Sequence, residues 1–142
     1  MSKVFIDPPL EEVIHLLTSH GLTVEDISET GQTRFFGFGQ PGGLRGVAGL
    51  ERHGRYGLLR SLAVTKNHQR KGAATALVKA LEAHALELGM VELYLLTETA
   101  EKYFLNRGYS VTSREFVPTE ISGTHQFSSL CPESATLMRK CF

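Results

Sequence analysis

Cysteine is scarce in this chain: two residues among 142, Cys131 and Cys141, both near one end. Two thiols build no disulfide framework, and no zinc-type Cys/His spacing accompanies them, so a reducing compartment and no bound metal are expected. Long apolar runs are also missing. No stretch approaches the roughly 18 residues needed to span a bilayer, and the opening nine residues lack the apolar core of a secretory signal. The expectation is a cytoplasmic protein with no membrane association. Repeats, low-complexity tracts and linkers are absent too, which leaves one domain over residues 1–142. Net charge is zero, with 15 basic and 15 acidic residues, so nothing in the global balance draws the chain to nucleic acid.

One absence is local. Between Glu51 and Glu82 there is no acidic residue, yet Arg52, Arg55, Arg60, Lys66, Arg70, Lys71 and Lys79 all fall there. Such a run is either a solvated face or a site that receives a polyanion.

What is present reads as an α/β domain. Residues 4–6 form a short strand, and Leu10, Val13, Ile14 and Leu17 share one helical face that stops at Gly21. Residues 33–38 and 44–51 flank the turn around Gly42 as a hairpin, and residues 56–64 follow as a third strand. Ala74, Leu77, Val78, Leu81, Ala85 and Leu88 make the clearest helical stripe, over 72–89. Strand 91–96, a short helix over 100–107 ending at Gly108, and strand 109–112 alternate after it. Residues 118–132 carry no clear pattern, and 135–139 read as a closing strand. Hairpins followed by strand–helix alternation predict a mixed sheet of about six to seven strands flanked by helices.

The informative segment is the junction between the third of these strands and the long helix. Leu62, Ala63 and Val64 lead through Thr65–His68 into Gln69, Arg70, Lys71, Gly72, Ala73 and Ala74. The first turn of a helix offers unpaired N–H groups and the positive end of the dipole, which favours a phosphate. Gly72, Ala73 and Ala74 let a ligand approach the backbone, while Arg70 and Lys71 add charge. Walker A and dinucleotide fingerprints are both absent, so ATP and NAD are disfavoured.

The pattern Gln69-x-x-Gly72-x-Ala74 resembles the acetyl-coenzyme A signature of the Gcn5-related N-acetyltransferases (GNAT), [QR]-x-x-G-x-[GA]. A second family landmark, A-x-x-x-[YF]-x-x-x-G-[FY], is matched by Ala100, Phe104, Gly108 and Tyr109. This resemblance implies a sheet splayed at the acetyl-coenzyme A site. The pantetheine arm would pair with the backbone at Leu62, Ala63 and Val64, and the pyrophosphate would sit on the loop from Gln69 to Ala74. Thr75, Thr97 and Phe104 are further expected cofactor contacts. The run 56–64, the phrase Glu92-Leu93-Tyr94-Leu95-Leu96-Thr97 and the ending Phe127–Pro132 resemble the subfamily of arsenic-resistance N-acetyltransferases. That narrower likeness implies a small, amino-acid-like amine acceptor, such as an arsenical or phosphinic amino acid.

Acetyl transfer needs a base for the amine, a donor for the oxyanion and an acid for the departing thiolate. A backbone N–H at 62–64 is the donor that the resemblance implies. The family's usual acid, a tyrosine, is replaced by Phe104. Tyr103 is adjacent but about 100° away around the helix, so protonation by water or by the new ammonium competes with it. Glu51 is the first candidate base, with Glu98, His53 and His125 behind it. Strand alternation puts Arg60 on the face of Leu58, Leu62 and Val64, where it would pair either with an acid group of the acceptor or internally with Glu51 or Glu92. Segment 116–132 is expected to serve as a lid or as a contact with a second subunit in a homodimer.

Overall fold

The computed structural model describes residues 4–22, 33–69, 72–122 and 135–142. The elements run β1 (Val4–Ile6), α1 (Leu10–Ser19), β2 (Thr33–Gln40), β3 (Gly43–His53), β4 (Tyr56–Val64), a 3-10 turn (Lys66–His68) and α2 (Ala73–Glu87). After these come β5 (Glu92–Thr97), α3 (Glu101–Leu105), β6 (Ser110–Val111), a 3-10 turn (Arg114–Phe116), α4 (Thr119–Ser122) and β7 (Thr136–Cys141). Expected and observed elements agree to within a few residues at most ends. Both α3 and β6 are shorter than their patterns predicted. The patternless segment 118–132 contains α4, and its residues 123–132 lie outside the described residues.

The strands form one seven-stranded sheet in the order β1-β2-β3-β4-β5-β7-β6. Neighbours from β1 to β4 are antiparallel, β4 and β5 are parallel, and β7 inserts antiparallel between β5 and β6. Two faces are covered. On one, Leu77, Val78, Leu81 and Ala85 of α2 bury against Phe36, Ala48, Leu50, Leu59, Leu93 and Met138. On the other, Val13, Leu16 and Leu17 of α1 pack on Phe35, Val47 and Ala63, while Ile121 of α4 joins Leu58, Tyr94 and Leu137. Alternation of side chains across the pleat explains why Phe35 and Phe36 serve opposite cores. Gly57 packs closely, since an added Cβ would lie 2.6 Å from Leu93 Cδ2 and 2.9 Å from Met90 Sδ and would force those side-chain ends to shift.

Candidate active site

Two irregularities in β4 build the site. The first is a bulge: Gly49 pairs with Arg60 but Val47 pairs with Ala63, so Ser61 and Leu62 together oppose Ala48. Ser61 absorbs the extra residue with φ +57°. The second is a splay. Parallel pairing of β4 with β5 covers Tyr56↔Glu92, Gly57↔Leu93 and Leu58↔Tyr94 and goes no further. Beyond Leu58, β4 therefore turns an unpaired edge toward the gap.

The direction of that edge follows from the register. Thr65 N donates to Arg45 O on the β3 side, so the amide and carbonyl of Val64 point the opposite way, into the gap. There Val64 O accepts from Gln69 Nε2 at 3.0 Å, and His20 Nε2 lies 2.9 Å from the same oxygen. His20 Nδ1 is 2.9 Å from Leu16 O, so the ring links the end of α1 to β4. A neutral imidazole has one N–H and can donate to only one of these carbonyls at a time.

A cavity of about 440 Å³ occupies the gap, lined by residues that include Leu62, Ala63, Val64, Gln69, Gly72, Ala74, Thr75 and Tyr103, with His20 at the α1 end. Seven expected cofactor contacts thus share one surface. Gly72 caps α2 with φ +86°, and an added Cβ would meet nothing within 4 Å, so the backbone at the helix start is open to a ligand. Arg70 and Lys71 lie outside the described residues. Ala73 is buried in the main core. Tyr103 Oη sits 2.9 Å from Thr75 Oγ1, which joins α3 to the first turn of α2 across the cavity.

Other expected contacts have different duties. Phe104 is buried edge-on against Tyr103 and Tyr109 in the main core and is not a cavity wall. Thr97 Oγ1 accepts from Ala100 N at 3.0 Å, closing the turn into α3. Phe104 of the landmark and its neighbour Tyr103 are therefore sorted by the helical rotation between them: Phe104 points inward and Tyr103 outward to the gap.

Glu51 and Arg60 form a buried ion pair, with Arg60 Nη1 3.2 Å from Glu51 Oε1 and side chains 1% and 9% exposed. His53 Nε2 contacts Glu51 Oε2, and Arg60 Nε donates to Ser61 Oγ at 3.1 Å. This chain lies on the α1 face, because Arg60 Cγ and Phe35 both crowd Gly49. The expected shared face of Arg60 with Leu62 and Val64 is corrected here. The bulge at Ser61 reverses the alternation, so Leu62 and Val64 pack toward the α2 core while Arg60 points away from it. Neither Glu51 nor Arg60 is among the residues lining the cavity. Glu98 and His53 are likewise outside it, and His125 lies outside the described residues.

Two cations of the acid-free basic run are used away from the gap: Arg60 is paired with Glu51, and Arg52 lies at the far end of α2. Arg52 donates to Leu88 O, beyond the C-terminal end of α2, whereas Gly72 is at the N-terminal end. Those ends of a helix this long are some 20 Å apart. Among the described residues there is no group of three or more His, Cys, Asp or Glu side chains placed to hold a metal, and no helix long and apolar enough to cross a membrane.

The site is thus a mixed sheet parted between two parallel strands, with a helix start opening on the gap. The acetyltransferase (GNAT) family model matches residues 10–109, and the chain belongs to that family. Its fold is similar to that of N-acetylglutamate synthase from Neisseria gonorrhoeae, solved with coenzyme A and N-acetyl-glutamate, with TM-score 0.78 and 17% identity over 99% of this chain and 35% of that one. This chain thus spans about a third of the gonococcal synthase. Similar folds also occur in Rv2747 from Mycobacterium tuberculosis, solved in complex with coenzyme A (TM-score 0.78, 18% identity, 97% and 99% coverage), and in Tetrahymena GCN5 (TM-score 0.69, 18% identity, 93% and 87% coverage). No curated protein sequence matches this chain significantly.

Proposed function

We propose that this protein is an acetyl-coenzyme A-dependent N-acetyltransferase acting on the primary amine of a small, amino-acid-like acceptor. The observation that carries this reading is the unpaired edge of β4 beyond Leu58, facing a cavity that ends at the open backbone of Gly72. Acetyl-coenzyme A would supply an acyl thioester activated toward amine attack. An extended amide-bearing arm fits the β4 edge, and Gln69 and His20, which hold Val64 O in the described state, are the groups it would displace there. The N-terminal turn of α2 suits a pyrophosphate in both charge and access.

This chain's residues then divide the work. Backbone amides beside the bulge supply a donor to the oxygen that gains negative charge. Tyr103 is the phenol on the cavity wall, and it would hand its proton to the departing thiolate while Thr75 Oγ1 fixes its position. Glu51 is committed to Arg60 and His53, so a water in the cavity suits the role of amine base better than that carboxylate does.

Two features support an amino-acid-like acceptor. One is the likeness to the arsenic-resistance subfamily; the other is the gonococcal neighbour, whose bound N-acetyl-glutamate is an acylated amino acid. Arsenical and phosphinic amino acids are therefore the first acceptors to try. Release of free thiol from acetyl-coenzyme A is to be followed across a panel of amino acids, phosphinothricin-type analogues, polyamines and aminoglycosides. Turnover with amino-acid-like members and silence with the others is the expected result. Binding of acetyl-coenzyme A with no turnover on any member would replace the enzyme by a sensor domain.

A further inference from the structure

On the far side of the 3-10 turn from the active-site gap lies a second, larger cavity of about 770 Å³, between β1, the tip of the β2–β3 hairpin and Lys66–His68. Val4, Phe5 and Phe38 supply its apolar wall, and Gln40, Arg45 and His68 supply its polar one. No role described above uses it.

Its cation is unusually placed. Arg45 Nη1 lies 2.8 Å from His68 Nε2. A guanidinium can only donate, so His68 Nε2 is the acceptor and the ring is uncharged, with its proton on Nδ1 directed to Thr65 Oγ1 at 2.9 Å. Arg45 is exposed, and among the described residues no carboxylate lies within ion-pairing distance of it. The positive charge at this cavity is thus met by a neutral acceptor, beside half-buried aromatic residues. An oxyanion would offer Arg45 a stronger, charge-assisted partner than the imidazole does.

We propose that this cavity binds a small anion carried on a flat apolar body, its carboxylate or phosphate paired with Arg45 and its body against Phe5 and Phe38. The site also touches the active-site loop. Arg45 O accepts from Thr65 N, and Thr65 Oγ1 holds His68, one residue before Gln69. Drawing Arg45 off His68 therefore loosens the 3-10 turn that leads into Gln69 and Gly72, so occupancy would alter acetyl-coenzyme A affinity without sharing its cavity.

Titration calorimetry on the full chain, with benzoate and with phenyl phosphate as probes, tests this and distinguishes the two anions. Each is run with and without saturating coenzyme A. Saturable binding of at least one probe is expected to persist with coenzyme A present. Arg45→Ala should weaken it by about tenfold or more and Arg45→Lys by less, while Arg52→Ala, a cation at the other end of α2, should leave it unchanged. Three results would overturn the proposal: no saturable heat from either probe, equal weakening by Arg52→Ala, or complete displacement by coenzyme A. The last would assign the cavity to the cofactor. Because probe binding needs no turnover, failure here leaves the acetyltransferase reading standing, and an inactive enzyme that still binds the probe leaves this one standing.

Discussion

The hydroxyl of Tyr103 lies 2.9 Å from that of Thr75, bridging α3 and the first turn of α2 over the gap between β4 and β5. It is the phenol that the cavity presents, whereas Phe104, at the landmark position, faces the core. Tyr103→Phe is therefore expected to lower kcat by about 100-fold while leaving the KM for acetyl-coenzyme A within a small factor. Loss of less than about threefold in steady-state assays would return the proton to water.

Gly72 caps α2 in the left-handed region and faces open space. Gly72→Ala places a Cβ where a phosphate would approach and strains the backbone by about 1–2 kcal/mol. A raised KM for acetyl-coenzyme A, about tenfold, together with a lower Tm is the expected pair of effects. An unchanged KM with the lowered Tm would put the pyrophosphate elsewhere.

Arg60 and Glu51 stand or fall together. Arg60→Ala leaves a buried carboxylate without its cation and should cost about 3–5 kcal/mol in urea unfolding. The double replacement Arg60→Met with Glu51→Leu should recover much of that loss. Unchanged stability combined with a raised acceptor KM would instead assign Arg60 to the acceptor.

Alkaline pH should expose Tyr109. Burial first, and then the neighbouring Glu82 carboxylate, push its phenol well above the usual tyrosine range. Its hydroxyl donates to Glu82 Oε2 at 2.8 Å, and Lys140 binds the same carboxylate. The unfolded chain releases this proton near pH 10 and the folded one retains it, so stability is intact below about pH 10 and falls above it. The slope is about 1.4 kcal/mol per pH unit for this group, and Tyr109→Phe should remove that component. Denaturant titrations at several alkaline pH values would measure it.

The fold was largely legible because its signals are local. The stripe from Ala74 to Leu88 specifies α2 by periodicity, and Gly42 and Gly54 punctuate the strands at the two turns. Gln69, Gly72 and Ala74 reached the cavity because helix-start chemistry needs only neighbours in sequence. The failures share one cause. Ser61 gives no warning of φ +57°, since neither glycine nor asparagine marks the bulge, and one unforeseen residue turned Arg60 to the other face. His20 was invisible for a similar reason: it trails a finished helical stripe, and only the tertiary fold brings it to Val64, 44 residues later. The insertion of β7 between β5 and β6 is likewise a long-range event with no local mark.

The short seam between β4 and β5 has a mechanical consequence. Three residue pairs stitch an antiparallel leaf of β1 to β4 to a second leaf of β5, β7 and β6. So few rungs resist twisting weakly, and the seam is held chiefly by the core that both leaves share beneath α2, where Leu50 and Leu59 meet Leu93 and Met138. A guest lying along the parted edge would act as a splint, and the molecule should stiffen most where it is least stitched.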